Sequence, residues 1–284
     1  MEDTQKHHCP KTNAELKELV KDESVHLGEI DISAVIDLSG VFKDSKRQDF
    51  DGLESWDVSH VKNMEGMFDG ATDFDHDISG WDVSAVENMA GMFEGCKDFD
   101  QDLNAWDVSS VTDMSRMFKS CENFNQYLGD WDVSKVTNMS WMFCNCRYFD
   151  QPLEEWDVSS VKDMRRMFSN CPVFDQPLEE WDVSKVKDME GMFYYCCQFN
   201  QPLEEWDVSS VTNMSSMFQE CFKFDQSLEN WDVSKVTNMS SMFAFCDEFN
   251  QPLDNWDVSH VKNMTNMFED CFMLEEFPEW YKDE

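Results

Sequence analysis

Apolar residues return at two spacings inside a unit of 25 residues. In residues 151–171, QPLEEWDVSSVKDMRRMFSNC, the side chains of Leu153, Trp156 and Val158 follow L-x-x-L-x-L. That spacing predicts a short strand whose inward side chains fill a solenoid core. Val161, Met164, Met167, Phe168 and Cys171 then step by three and four, which predicts one face of a short helix. Ser159 stands between the two segments, where a helix N-cap is expected. Phe174 follows, and Asp175-Gln176-Pro177 turns the chain into the next strand. Each unit therefore reads as strand, short helix and return loop. An all-β solenoid, with residues 161–168 as a second short strand, is the alternative; strict alternation would have favoured it.

Tryptophans fix the register: Trp56, Trp81, Trp106, Trp131, Trp156, Trp181, Trp206, Trp231 and Trp256, each followed by Asp-Val-Ser and later by Met-x-x-Met-Phe. Eight of the nine Met-Phe pairs lead to a cysteine, Cys96 to Cys271 at intervals of 25 residues; Ala71 takes that place in the first. A fixed period of this length predicts a solenoid in which each unit buries its apolar face against its neighbours. The expected fold class is α/β, a leucine-rich-repeat-like solenoid of about ten units and roughly 50 Å in length. Residues 30–42, IDISAVIDLSGVF, are a degenerate first unit, with Ile30 at the tryptophan position and Leu38 and Val41 at the methionines. Residues 1–29 form an N-terminal segment with a capping helix that Thr12 or Asn13 starts and Leu16, Leu19 and Val20 stripe. The repeat array spans residues 30–273. Residues 274–284 close the other end with Phe277, Trp280 and Tyr281.

WDVSxVxNMxxMF, with FNQPL or FDQPL between units, resembles the BspA-like family of leucine-rich-repeat surface proteins with 25-residue repeats. The resemblance covers about residues 30–273. It implies a non-enzymatic repeat scaffold, in bacteria often at the cell surface or lipoprotein-anchored, associated with adhesion and protein binding. No lipobox is present, and the start, MEDTQKHHCPKTNAEL, lacks the apolar core of a signal peptide. Residues alone point to the cytosol unless a leader lies outside this sequence; the resemblance points to the surface.

Charge narrows the partner class. With 59 acids against 22 bases the formal charge is −37, which disfavours direct binding to nucleic acid or an anionic membrane. A basic protein partner and fast, salt-sensitive association are expected. No apolar run is long enough to span a membrane. The histidines do not pair with a nucleophile in a catalytic pattern, and no phosphate-binding loop occurs, so no enzyme, metal or cofactor is predicted. Eleven cysteines lack zinc-site spacing and read as free thiols, eight of them a buried column; Cys9, Cys144 and Cys197 fall outside it and are the candidates for exposed thiols. The Asp column after each tryptophan needs either backbone N–H groups or calcium to offset its repulsion. The Gln column (Gln101 to Gln251) and the Asn/Asp column at Asn138 and Asp163 read as amide ladders.

Identical columns build the scaffold, so recognition is expected in columns that vary. One is an acidic ribbon, Glu154, Glu155, Glu179, Glu180, Glu204 and Glu205. The other is a set of bulky residues at otherwise small or polar positions: Trp141, Tyr148, Tyr194, Tyr195, Phe222 and Phe245, with Arg116, Arg165 and Arg166. Exposed aromatics and arginine are enriched at binding hot spots. The leading expectation is a protein-binding scaffold, for which the resemblance implies binding of the adhesion type at a surface; the alternative is an acidic nucleic-acid mimic that occupies a basic DNA-binding protein.

Overall fold

The computed structural model describes residues 7–282. The polar start read as lacking a leader begins at residues 1–6, and the terminal cap ends at residues 283–284; both stretches lie outside the described residues. One solenoid runs through the whole, and its coils share a single core. The predicted strand and helix of each unit do not form. Among the described residues the regular elements are one helix, α1 (Asn13–Val20), and two 3₁₀ turns, Leu27–Glu29 and Leu53–Ser55.

The step of three and four arises from consecutive turns. Trp156 N–H donates to Leu153, Val161 to Val158, Met167 to Met164, Cys171 to Phe168 and Phe174 to Cys171, each an i to i−3 bond. Apolar residues at both corners of each turn therefore point inward, which mimics a helical stripe. A helix is excluded by two residues per coil in the left-handed region, Arg166 (φ 53°) and Asn170 (φ 61°) in the coil of Trp156. Those residues flip alternate peptides so that their N–H groups leave the coil. Met164, Arg166, Phe168 and Asn170 donate to the carbonyls of Asp188, Glu190, Met192 and Tyr194 in the next coil, at 2.6–3.1 Å. The same four bonds recur at every junction from Leu38 onward, with single parallel bridges such as Asp163↔Asp188 marking the register. One bond runs the other way, from Lys162 N–H to Thr137 C=O. A non-glycine residue in the left-handed region costs roughly 1–2 kcal/mol. Five inter-coil bonds, each contributing about 1 kcal/mol net, offset two such residues. Neither strand–helix units nor a true all-β solenoid describes this ribbon. Ser159 is not a helix cap; its N–H donates to Asp157 Oδ1 at 3.0 Å in a side-chain turn.

Packing repeats with the same period. Tryptophan rings stack from coil to coil, Trp131 on Trp156 at 6.4 Å and 2°. Each indole N–H donates to a leucine carbonyl one coil back, as in Trp156 Nε1 to Leu128 O at 2.9 Å, with Ile78 O taking that place for Trp106. Phe168 and Phe174 stack on each other at 4.2 Å and on their counterparts in the neighbouring coils. Cys171 Sγ donates to Phe143 O at 3.0 Å, so even the thiol is satisfied inside. The Gln column forms a ladder as expected: Gln176 Nε2 donates to Asp150 O and Oδ1, and Asp175 N–H to the same Oδ1. Asn138 Oδ1 accepts from Ser140 N–H, and its amide reaches Asp113 in the preceding coil.

The two ends are closed differently. Thr12 caps α1 by accepting from Glu15 N–H, and Leu16 and Val20 are buried. Asn13 Nδ2 donates to both Asp37 O and Ser39 O at 3.0 Å, which satisfies carbonyls that no earlier coil can reach. The longer loop of the first unit holds Arg47, buried and bonded to the carbonyls of Val20, Asp22, Val25 and Asp49. At the far end Trp280 stacks on Trp256 at 6.3 Å and donates to Leu253 O, taking the tryptophan position of a further half-coil.

Two outcomes follow from this packing. Trp156→Ala should cost roughly 3–5 kcal/mol in a denaturant titration, because the cavity cannot collapse between two identical layers. Acid should also weaken the fold. The hydroxyl and N–H of Ser134, Ser184 and Ser234 hold Asp132, Asp182 and Asp232 below the usual carboxylate range. A depressed folded value means stability present above the unfolded value of about 3.9 and lost as pH falls through the folded one. Thermal midpoints measured from pH 5 to pH 2 should fall, and Asp182→Asn should flatten that fall.

Candidate functional site

The left-handed positions decide what the outer face carries. Successive coils place Gly40, Gly66, Gly91, Arg116, Trp141, Arg166, Gly191, Ser216, Ser241 and Asn266 at the first of them. The second holds Asn145, Asn170, Tyr195, Glu220 and Phe245 in the coils from Trp131 to Trp231. Side chains at these positions project from the ladder between coils, so neighbours in the column stand one above another.

Five coils use these positions and the residues beside them to build a ridge of alternating cations and rings. Lys119 Nζ lies 5.3 Å from the centroid of Trp141. The guanidinium of Arg166 sits 5.0 Å from Trp141 and 5.9 Å from Tyr194. Tyr194 and Tyr195 are 6.5 Å apart, and Tyr195 meets Phe222 edge-on at 6.3 Å. Carboxylates anchor the row: Glu94 to Lys119 at 2.7 Å, Glu190 to Arg166 at 3.2 Å, and Glu220 to the Tyr194 hydroxyl at 3.0 Å. Burial and the Glu220 carboxylate push the Tyr194 phenol above its ordinary value, so it stays a hydrogen-bond donor. Between Trp141, Arg166, Tyr194 and Tyr195 lies a shallow depression of about 360 Å³, whose rim includes Asn145, Ser169 and Asn170. These rings are half-buried, held in place yet open on one side. Such a surface offers cation–π and hydrogen-bonding contacts at little ordering cost.

Of the residues expected to recognise a partner, Trp141, Arg166, Tyr194, Tyr195 and Phe222 come together. They stand on the turn ribbon, because the short helix predicted for residues 161–171 and its counterparts does not form. Arg116 is the next residue of the column, exposed, with no carboxylate within ion-pair distance among the described residues. Arg165 points away to Asp163 at 2.7 Å and Asp188 at 3.8 Å. Tyr148 is 60% exposed in a different column, and Phe245 stands two coils beyond Tyr195 with Glu220 between. Glu154, Glu155, Glu179, Glu180, Glu204 and Glu205 are all exposed on the turn before the tryptophan and do not line the depression. Lys119, Glu220 and the asparagine rim were not anticipated. They occupy the same register positions as Tyr194, Tyr195 and their neighbours, a relation visible only once those positions are known to stack.

No Asp-column carboxylate is left bare where its serine is seen: Asp57 Oδ1 accepts from both Ser59 N–H and Oγ. Among the described residues no cluster of histidine, cysteine and carboxylates has the geometry to hold a metal. His7 Nδ1 lies 3.4 Å from Glu29. All eleven cysteines are free. Cys144, expected to be exposed, is buried beneath the ridge; Cys9 is exposed and Cys197 half-buried.

The chain matches, over residues 14–128, 112–219 and 196–280, the family described as "Mycoplasma protein of unknown function, DUF285". The chain belongs to this family. The DUF285 chain matches no curated protein. Among solved structures it is similar to a chain of the "Toll - Spatzle complex, a molecular hub in Drosophila development and innate immunity", at 14% identity and a TM-score of 0.27. That match covers 72% of this chain and 35% of the other, so it spans about a third of the Drosophila chain's length. Within the described residues no helix is long and apolar enough to cross a membrane.

Burial pushes the column thiols well above the ordinary thiol value, Cys271 to about 12, with Cys121, Cys146, Cys171, Cys196, Cys221 and Cys246 raised for the same reason. Because the thiolate is the reactive form, a thiol reagent should modify Cys9 first, Cys197 slowly, and the column only after denaturation. Denaturation without reductant should release all eleven; fewer would mean disulfides between coils.

Proposed function

We propose that this protein is a non-enzymatic scaffold that binds another protein through the ridge centred on Trp141, Arg166 and Tyr194. The observation that carries the reading is that five unusual residues from four coils converge on one surface, while the rest of each coil repeats. A repeat array that needs only stability has no use for a tryptophan at a position where other coils accept glycine or serine. The acidic ribbon supports a basic or mixed partner, steered in by charge and gripped at the ridge. Adhesion-type binding at a cell surface is the finer reading that the BspA-like resemblance supports. Burial of the column thiols removes cysteine content as an argument against that location, since buried thiols gain nothing from a reducing compartment.

A nucleic-acid mimic is the second reading. Two exposed glutamates per coil, with coils ~4.8 Å apart, give one charge per roughly 2.4 Å, near the one per ~1.7 Å of duplex DNA. The two readings separate in binding kinetics against a partner captured by cross-linking. For the scaffold, changing Glu154, Glu155, Glu179, Glu180, Glu204 and Glu205 to Gln should slow association and flatten its salt dependence. Trp141→Ala should speed dissociation by about tenfold or more, as expected for loss of a hot-spot ring. For the mimic, the six Gln changes should abolish binding and Trp141→Ala should do little.

A further inference from the structure

Arg166 shows what this face does with a cation. Its guanidinium lies 5.0 Å from the Trp141 ring and 5.9 Å from the Tyr194 ring, and it pairs with Glu190 at 3.2 Å. Two rings, a cation and a carboxylate thus form one closed set. The coils that follow repeat the rings and the carboxylate. Tyr195, Glu220 and Phe245 hold the second left-handed position in three successive coils, with φ of 58°, 62° and 60°. Their N–H groups donate to Gln219, Ala244 and Glu269 at 2.7–2.8 Å, so the ladder fixes all three in register. All three side chains are half-buried, and Glu220 also borders the depression beside Trp141. The chain supplies no cation to this second set. The column that provides Arg116 and Arg166 passes to Gly191, Ser216 and Ser241. Lys223 pairs with Glu248 instead. Among the described residues Glu220 accepts from the Tyr194 hydroxyl and has no cation within ion-pair distance, and no lysine or arginine is seated over Tyr195 or Phe245. Asp69 and Glu94, on the same face, are matched by Lys43 and Lys119.

We infer that Tyr195, Glu220 and Phe245 bind an arginine side chain of the partner protein. The inference rests on the reading of the ridge as a protein-binding surface and adds the chemistry of the anchor. Tyr195 and Phe245 are two coils apart, roughly 9.6 Å at ~4.8 Å per coil. A planar group at the level of Glu220 then lies about 4.8 Å from each ring, inside the ~6 Å reach of a cation–π contact. Glu220 Oε1 holds the Tyr194 hydroxyl, and the other carboxylate oxygen is left to accept from a ligand. A guanidinium suits the gap better than an ammonium, because it is flat, stacks on rings and is more weakly hydrated. The formal charge of −37 draws a basic group in from a distance.

The probe is the capped tripeptide acetyl-Gly-Arg-Gly-amide, with Lys and Gln versions beside it, titrated at constant ionic strength into the full chain carrying ¹³C-labelled tyrosine. Five tyrosines give few ring signals to follow. The Tyr195 ring should shift saturably with a Kd on the order of millimolar, as expected for one anchoring side chain. The Lys peptide should bind several-fold more weakly, and the Gln peptide should produce no shift. Tyr127, whose hydroxyl lies 3.4 Å from Asp130 and which feels Glu154 and Glu155, reports general attraction of cations to the acidic ribbon and should not move. Glu220→Gln, which keeps an oxygen for the Tyr194 hydroxyl, should weaken binding about tenfold or more. Phe245→Leu should weaken it several-fold, and Glu154→Gln should leave it unchanged. A stationary Tyr195, equal response to the Lys peptide, equal movement of Tyr127, or as large a loss from Glu154→Gln would each overturn the inference. The titration needs no partner protein, so its failure strikes the arginine anchor alone. The ridge as a whole stands or falls separately, on the dissociation rate of Trp141→Ala.

Discussion

Hydrogen bonds that run along the axis, from one coil to the next, are what the rest of the structure depends on. They exist because two residues in every coil enter the left-handed region and turn alternate peptides outward. Without that flip the same residues would bond within the coil, the methionine and phenylalanine stripe would wind into a short isolated helix, and such a helix is marginal in water. With it, each coil is held by its neighbours on both sides, and the tryptophan, phenylalanine and cysteine columns are brought into register as a consequence.

The same constraint divides the chain into positions that can vary and positions that cannot. Inward corners are filled by Leu, Trp, Val, Met, Phe and Cys at nearly every turn, because each faces an identical side chain one layer away. The left-handed positions tolerate Gly, Arg, Trp, Ser, Asn, Tyr, Glu and Phe, because their side chains leave the ladder for solvent. Backbone strain and recognition therefore share the same residues. Asn145 and Asn170 suit that conformation intrinsically, since a short polar side chain bonds locally; Trp141 and Tyr195 do not, and are held there by bonds on either side.

Much of this was legible in the sequence, and the illegible part has a single cause. The period, the core columns, the capping helix started by Thr12 or Asn13, the thiol column and the Gln ladder all follow from which residue types recur at which spacing. The local backbone does not. A spacing of three and four is produced equally by a helix and by turns closed with i to i−3 bonds, and nothing in Val161, Met164 and Met167 distinguishes them. Glycine at positions 66, 91 and 191 hinted at left-handed backbone, but Arg116, Trp141 and Arg166 in the same column masked the hint. That error placed Trp141, Tyr194 and Tyr195 on short helices instead of on a ladder. It hid the fact that Lys119, Trp141, Arg166 and Tyr194 stand in one line, and it made Cys144 look exposed.

Uniform junctions also bear on how such a chain can change. Every interface between coils repeats the four forward bonds, the one reverse bond and the same aromatic layer. Removing or duplicating 25 residues anywhere inside the array therefore leaves every surviving junction chemically what it was. Array length can then change by whole coils, with stability changing by one nearest-neighbour step each time. The ridge occupies only five coils, so such events outside it would slide it toward or away from either end in increments of ~4.8 Å without rebuilding it. Recognition and reach can be varied separately in this architecture, because the surface is written in side chains and the distance in the number of coils.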